Sequence, residues 1–315
     1  MSSAPSQQPV SFAPPARVSV LLGGISVERE VSLVSGAAAA KALAEAGYQV
    51  STIDVPRNPA DLAQALEFQR PDVVFNALHG RFGEDGAIQG LLDLMGLPYT
   101  HSGRLASAVA MDKPMAKAVF REAGLPVATH KVVTISEVRR ADPLPRPYVL
   151  KPFNEGSSCG VVILQPGGND EPLAPERWSF AETVMAEPFV PGRDMTVTVM
   201  GDRALAVTEI VTERSFYDYD AKYAAGGSRH LLPAPIPEAV AAHLMELSVK
   251  AHQALGCRGV SRADFRLNGE EAVLLEINTQ PGMTPTSLVP EQAEHVGISF
   301  PELTRWMVEA AACDP

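Results

Sequence analysis

Oxygen ligands for a hard metal ion can be read near the end of this chain. Asp264 lies in the run SRADFRL, and Glu276 and Asn278 stand two apart in LLEINTQPG. Two apart on a strand means one face. Two carboxylates and an amide oxygen suit Mg²⁺, which typically takes one or two carboxylates together with substrate phosphates; a surface hairpin is the alternative. The neighbours Val273, Leu274, Leu275 and Ile277 are apolar, and an acid among them needs a partner. A phosphate-type set lies upstream. Lys151 ends YVLK, and Gly156-Ser157-Ser158-Cys159-Gly160 follows before VVIL. A glycine loop between strands can fold over phosphates with N–H and hydroxyl donors, and a lysine beside it adds a point charge. Lys113, in MDK, is a second cation of that kind; a flexible hairpin with solvated lysines is the alternative. Glu28, in SVERE, follows the first β-rich run. Its carboxylate can hold a substrate ammonium or simply complement a helix start. The segment FYDYDAKY, residues 216–223, mixes aromatics and charges ahead of Gly226-Gly227. It reads as a lid over a site or as an exposed loop packed by its own tyrosines.

Familiar nucleotide and metalloprotease motifs are absent. No GxxxxGK[ST] or HExxH occurs, and no GxGxxG follows the first strand. The elements that must position the residues above fall into two styles. In the first third, strands at 17–22, 48–54 and 71–78 alternate with helices at 31–46, 60–68 and 88–95. Such alternation makes a parallel sheet covered on both faces, with ligands at the carboxyl ends of its strands. The polar glycine-rich loops 23–30 and 79–86 lie at such ends. A helix is expected over 106–123, then strands at 127–133, 148–151 and 161–164. A proline-rich loop is expected at 166–178. Strands follow at 181–189, 195–200 and 204–210, then a long helix at 237–255, strands at 259–267 and 272–278, and a closing helix at 301–312. This part is α+β in character.

The ligand set imposes a condition on the last hairpin. A two-residue turn at Asn268-Gly269 would pair Asp264 with Val273 and send Glu276 to the opposite face. A shared metal therefore predicts a three-residue loop, Leu267-Asn268-Gly269, with Gly269 left-handed and Arg266 facing Glu270.

The chain has 315 residues, which suggests two or three domains. A net charge of -11 leaves no cationic excess to neutralise nucleic-acid phosphates, so no nucleic-acid partner is expected. The three cysteines, Cys159, Cys257 and Cys313, show neither disulfide nor zinc spacing, which fits a reducing cytoplasm. No apolar run approaches ~18 residues, so no membrane span is expected. Residues 1–16 read as a disordered tail.

Taken together, the motifs GGISVEREVSLVSG, ALHGRFGEDGAIQGLLDLMGLPYTHSG, MDK, KPFNEGSSCG, FYDYDAKY and LLEINTQPGMTPTSLVP resemble the D-alanine–D-alanine ligase family of the ATP-grasp superfamily. They stand in family order from about Arg17 onward. The resemblance implies an α/β and α+β chain. A Rossmann-like, pre-ATP-grasp parallel-sheet domain at 17–105 would bind D-alanine. A two-subdomain ATP-grasp fold would follow, with a central part at 106–190 and a C-terminal part at 191–315 holding the metal and acyl sites. It implies ligation of two D-alanines through a D-alanyl phosphate for peptidoglycan precursors, with ATP and two Mg²⁺ (or Mn²⁺), in a cytoplasmic homodimer.

Residue by residue, the resemblance puts Lys113, Lys151 and Lys222 on ATP, with Gly156, Ser157 and Ser158 in the loop that closes over the phosphates. Glu187 would bond the adenine amino group, Val190 would offer backbone bonds to the ring, and Asp194 would take the ribose hydroxyls. Asp264, Glu276 and Asn278 would hold the metal. Glu28 would receive the ammonium of the first D-alanine, in a network with Ser157 and Tyr223, and His79 would lie in the same D-alanine site. Arg262 and the Gly282 N–H would stabilise the oxyanion, and Ser287 and Leu288 would receive the second carboxylate. Two departures stand out: residues 165–180 hold more proline than the helical segment expected there, and Phe189 stands where a tryptophan often sits. Rivals are a D-alanine–D-lactate ligase, which tends to carry His where Tyr223 stands, another ATP-grasp enzyme such as a carboxylase subunit, and a nucleotide-binding regulator without turnover.

Overall fold

The computed structural model describes residues 12–154, 156, 160–168, 173–174, 178, 181–212, 227–284 and 286–314. Its first third alternates β1 (Arg17–Leu22), α1 (Arg29–Glu45), β2 (Gln49–Asp54), α2 (Pro59–Gln69), β3 (Val73–Asn76) and α3 (Ala87–Met95). The strands are parallel in the order β2-β1-β3. Side chains alternate across a strand, and both faces here are apolar. Val18, Val20 and Phe75 enter one core, while Leu21 and Val74 enter another with Leu62, Leu66 and Leu92.

The helix expected over 106–123 is two helices, α4 (Arg104–Met111) and α5 (Lys113–Glu122). Pro114 has no N–H, and its ring clashes with the carbonyl one turn back. Asp112 ends one helix and caps the next, its side chain accepting from Met115 N at 3.0 Å. This break places Lys113 at the first position of α5.

A four-stranded antiparallel sheet follows, with β4 (Lys131–Thr134), β5 (Tyr148–Pro152), β6 (Val162–Leu164) and β7 (Thr183–Pro188) in the order β4-β7-β5-β6. The strand expected from 127 begins only at Lys131. The Pro126 carbonyl before it accepts instead from Leu274 N at 2.8 Å, in another sheet. A single turn, α6 (Ile135–Val138), was not foreseen; its capping box of Thr134 and Glu137 was the available signal. In the proline-rich stretch, residues 166–168 form a turn, and Leu173 and Trp178 join the core of this sheet.

The third sheet is antiparallel, with β8 (Arg193–Met200), β9 (Arg203–Val211), β10 (Arg229–Leu231), β11 (Val260–Asn268) and β12 (Glu271–Asn278) in the order β10-β9-β8-β11-β12. Its Met195, Val197, Ala263 and Phe265 pack on α7 (Glu238–Ala254) through Leu244, Leu247 and Ala251. Alternation sends Arg262, Asp264 and Arg266 to the other face. The chain closes with α8 (Leu288–His295) and α9 (Phe300–Glu309). The first was not foreseen, because Pro290 interrupts the helical pattern, although proline is tolerated in a first turn. Both helices return to the parallel sheet, where Val289, Leu303 and Met307 share a core with Val18 and Val20.

Candidate active site

The carboxyl ends of β1 and β3 meet the polar face of the third sheet at a cleft of about 590 Å³. Glu28, His79, Glu84, Lys113, Gly156, Arg262, Glu276, Asn278, Gly282, Ser287 and Leu288 all line it.

Glu28 stands at the start of α1, but its side chain makes no capping bond there. It is buried and turns to the cleft, so close to Gly80 that a Cβ on Gly80 would lie 2.7 Å from Glu28 Oε2. Gly80 has φ +68, the left-handed region open to glycine. Ser26 fixes the loop: its hydroxyl donates to the His79 carbonyl at 2.7 Å and accepts from Glu28 N at 3.1 Å. The His79 ring Nε2 lies 3.2 Å from Ser35 Oγ, which accepts from Met283 N at 3.3 Å. One hydroxyl thus joins α1, the loop after β3 and the loop after β12. Burial drives the His79 pKa down to about 4, so the ring is neutral at physiological pH. Glu84, in the same loop, belongs to the run ALHGRFGEDG and also lines the cleft. Burial, then the charge of Glu28, pushes its carboxyl up to about 8.

The hairpin that carries the candidate metal ligands brings them to one face by a different route. The turn has two residues, Gly269 and Glu270, with Asn268 opposite Glu271 and Arg266 opposite Val273. The three-residue loop and the Arg266–Glu270 pairing are therefore corrected. Gly269 is left-handed as expected, φ +61, at the first central position, where a type II′ turn favours glycine. The register then shifts between Phe265, opposite Leu274, and Asp264, opposite Glu276. Leu275 is the extra residue of a bulge, and it restores Asp264, Glu276, Arg262 and Asn278 to one face. On its other side β11 pairs with β8 without a shift. The bulge is confined to β12, an edge strand, where bulges concentrate.

On that face, Arg262 grips Asp264 with two bonds, Nε to Oδ1 at 2.9 Å and Nη2 to Oδ2 at 2.7 Å. Thr196 adds a third at 2.7 Å. Glu276 Oε2 lies 3.5 Å from Lys113 Nζ, and Asn278 Oδ1 accepts from Gln280 N at 2.8 Å. Among the described residues no group of three or more His, Cys, Asp or Glu side chains could hold a metal; beside the two carboxylates, Asn278 offers an amide oxygen. Ser287 Oγ lies 2.8 Å from Thr284 Oγ1 and accepts from Thr284 N at 3.1 Å, which shapes the loop beside Gly282.

On the second sheet Lys151 of β5 pairs with Glu187 of β7, and Lys117 of α5, absent from the sequence reading, pairs with the same carboxylate. Its signal was available: four residues beyond Lys113 is the same helix face. Arg266 was also missed. It pairs with Asp194 at 2.7 Å, donates to the Val190 carbonyl at 3.1 Å and stacks 5.7 Å from the Phe189 ring. Ser157, Ser158, Lys222, Tyr223 and the rest of the 216–223 segment lie outside the described residues.

Hard oxygen donors and a lysine in a cleft between a parallel-sheet domain and one antiparallel sheet, with a second antiparallel sheet carrying the Lys151–Glu187 pair, fit the ATP-grasp arrangement. The comparisons agree at finer grain. Residues 56–102 match the family model for the D-ala D-ala ligase N-terminus, and residues 119–309 that for the C-terminus. The chain is 63% identical over 298 residues to a D-alanine–D-alanine ligase of Rhodospirillum rubrum, covering 95% of this chain and 99% of that one. It is 60% identical over 299 residues to a D-alanine–D-alanine ligase of Acidiphilium cryptum, with 94% and 99% covered. The crystal structure of the Bacillus anthracis D-alanine–D-alanine ligase superposes with a TM-score of 0.81 at 29% identity, covering 94% of this chain and 97% of that one. The same enzyme complexed with ATP gives 0.79 at 26%, with the same coverage. The chain belongs to the D-alanine–D-alanine ligase family.

Proposed function

We infer that this protein joins two molecules of D-alanine into D-alanyl-D-alanine, with ATP converted to ADP and phosphate, to supply peptidoglycan precursors. One observation carries the reading: Glu28, Lys113, Arg262, and Glu276, Asn278 and Gly282 from the last motif, brought from four separate segments, all line one cleft. Glu28 takes the ammonium of the first D-alanine, with Ser157 and Tyr223 as its partners. That substrate's carboxylate attacks the γ-phosphorus of ATP, ADP departs, and an acyl phosphate remains. The amine of the second D-alanine attacks the acyl carbon, phosphate leaves, and the amide forms. Arg262 and the Gly282 N–H face the developing oxyanion, where a fixed donor typically contributes on the order of 10²–10³ in rate. Ser287 and Leu288 take the second carboxylate, and His79, neutral and pinned to Ser35, shapes the first site. Lys113, Lys151 and Lys222 neutralise phosphate oxygens beneath the Gly156, Ser157 and Ser158 loop, Glu187 and Val190 receive adenine, and Asp194 the ribose.

Asp264, Glu276 and Asn278 fit Mg²⁺ or Mn²⁺. All three are hard oxygen donors on one face, and each is held by a cation or an N–H that an ion could replace. Bound there, divalent cations would neutralise the phosphates as charge moves. The divisions near 105 and 190, a cytoplasmic location where ATP is plentiful, and a homodimer complete the reading. Exposed Leu94 and Leu105 are candidates for a dimer surface. Among the described residues no helix is long and apolar enough to cross a membrane.

The test is phosphate release from ATP and Mg²⁺ with and without D-alanine. We expect release to depend on D-alanine and not on L-alanine. Faster turnover with D-lactate as second substrate at neutral pH would instead favour the depsipeptide reading.

A further inference from the structure

Glu187 has two cations for one carboxylate. Lys117 Nζ lies 2.6 Å from Oε2, and Lys151 pairs with Oε1. The two lysines are not equivalent. The Lys117 side chain is 1% exposed, also donates to the Ala128 carbonyl at 3.2 Å, and projects from α5, whose Phe120 is anchored in the core. The Lys151 side chain is 10% exposed and stands on β5, just before the segment that leads to Gly156. Lys113, one turn before Lys117, faces Glu276 instead. A buried carboxylate needs one counter-ion, and losing it altogether is costly. With Lys117 in place, the second cation can leave.

We propose that Lys117 is the permanent counter-ion of Glu187 and thereby a positioning residue for the nucleotide, releasing Lys151 to a phosphate oxygen while Glu187 stays charged to accept from the adenine amino group. This rests on the reading of Glu187 as the adenine acceptor. Without Lys117, the departure of Lys151 would leave a buried, unpaired carboxylate, and such a group takes a proton. A protonated carboxyl can donate, which suits the 6-oxo group of hypoxanthine better than the 6-amino group of adenine. Burial alone would raise the Glu187 carboxyl, but Lys151 and then Lys117 outweigh it and hold it below the usual range. The titratable and charged groups around it are Lys117 from α5, Lys151 from β5 and His130 from the segment before β4, with Arg121 of α5 acting on Lys117 and His130.

The experiment compares Lys117→Met, Glu187→Gln and the double variant in the full-length enzyme. KM is measured for ATP, ITP and D-alanine from pH 6 to 8.5. Lys117→Met should raise the KM for ATP on the order of tenfold to a hundredfold, and more so as pH falls, with the KM for D-alanine nearly unchanged. It should also erode the preference for ATP over ITP. In the Glu187→Gln background, adding Lys117→Met should change the KM for ATP little, since the charge it serves is gone. Additive effects, or an equal rise in the KM for D-alanine, would overturn the proposal. If Lys117→Met does not fold, the double variant should, with a Tm close to that of Glu187→Gln; failure to recover would also overturn it. If Glu187→Gln leaves the ATP-over-ITP preference intact, the adenine reading itself falls, and the proposal with it. If that preference collapses while Lys117→Met behaves as wild type, the proposal alone falls.

Discussion

Replacing Gly80 with alanine should weaken binding of the first D-alanine and leave ATP binding alone. The added Cβ would lie 2.7 Å from Glu28 Oε2 and 3.1 Å from Ser26 Oγ, against an ordinary contact near 3.4 Å. Ser26 is tied to the His79 carbonyl and Glu28 N, and the carboxylate stands at the end of a longer side chain with more rotatable bonds, so the carboxylate gives way. Oε2 must therefore retreat by about 0.7 Å. A charge-assisted bond to an ammonium runs near 2.8 Å, so this retreat carries it to the edge of hydrogen-bond range. Such a bond contributes roughly 1.5–3 kcal/mol, and its loss should raise the apparent KM for the first D-alanine about tenfold to a hundredfold. Alanine at φ +68 also costs roughly 1–2 kcal/mol. That cost falls on the native state as a whole, so it lowers Tm without altering KM. The assay is steady-state phosphate release, varying D-alanine at saturating ATP and then ATP at saturating D-alanine. An unchanged KM for D-alanine, or equal rises for both substrates, would refute the placement of Glu28.

Glu28→Gln should likewise raise the KM for the first D-alanine far more than that for ATP; equal effects would make Glu28 a structural residue. Glu276→Ala should nearly abolish turnover with an unchanged circular dichroism spectrum, since the remaining donors cannot complete an octahedral set; wild-type turnover would remove Glu276 from the metal reading. Stability should fall with acid through the buried histidines. Burial first, and then the neighbouring His79, drives His101 down to about 3 from the ordinary 6.5. The unfolded chain thus takes up protons below pH 6.5 that the native state refuses, and each refusal favours unfolding. His101→Asn removes that group, and asparagine tolerates the left-handed backbone there, φ +68. The drop in Tm between pH 7 and pH 5 should shrink in this variant, and an equal drop would show that His101 does not contribute.

The sequence alone determined the element styles and singled out most of the side chains that line the cleft. Strand–helix alternation up to residue 95 defined the parallel sheet because period and glycine stops are local signals. The six motifs placed the candidate side chains because each motif is contiguous. Local signals failed where a partner from far along the chain decides. The Asn268-Gly269 dipeptide could not reveal the bulge at Leu275. The unbroken ladder of β11 with β8 fixes one side of the hairpin, and only the edge strand β12 is free to absorb the extra residue. Lys117 looked like any helix lysine until β7 carried Glu187 to it. Glu84 looked like a loop acid until burial in the cleft beside Glu28 raised its carboxyl. The return of α8 and α9 to the first sheet was equally invisible. Burial, cross-sheet register and charge pairing depend on segments distant in sequence, and only the folded chain brings those together.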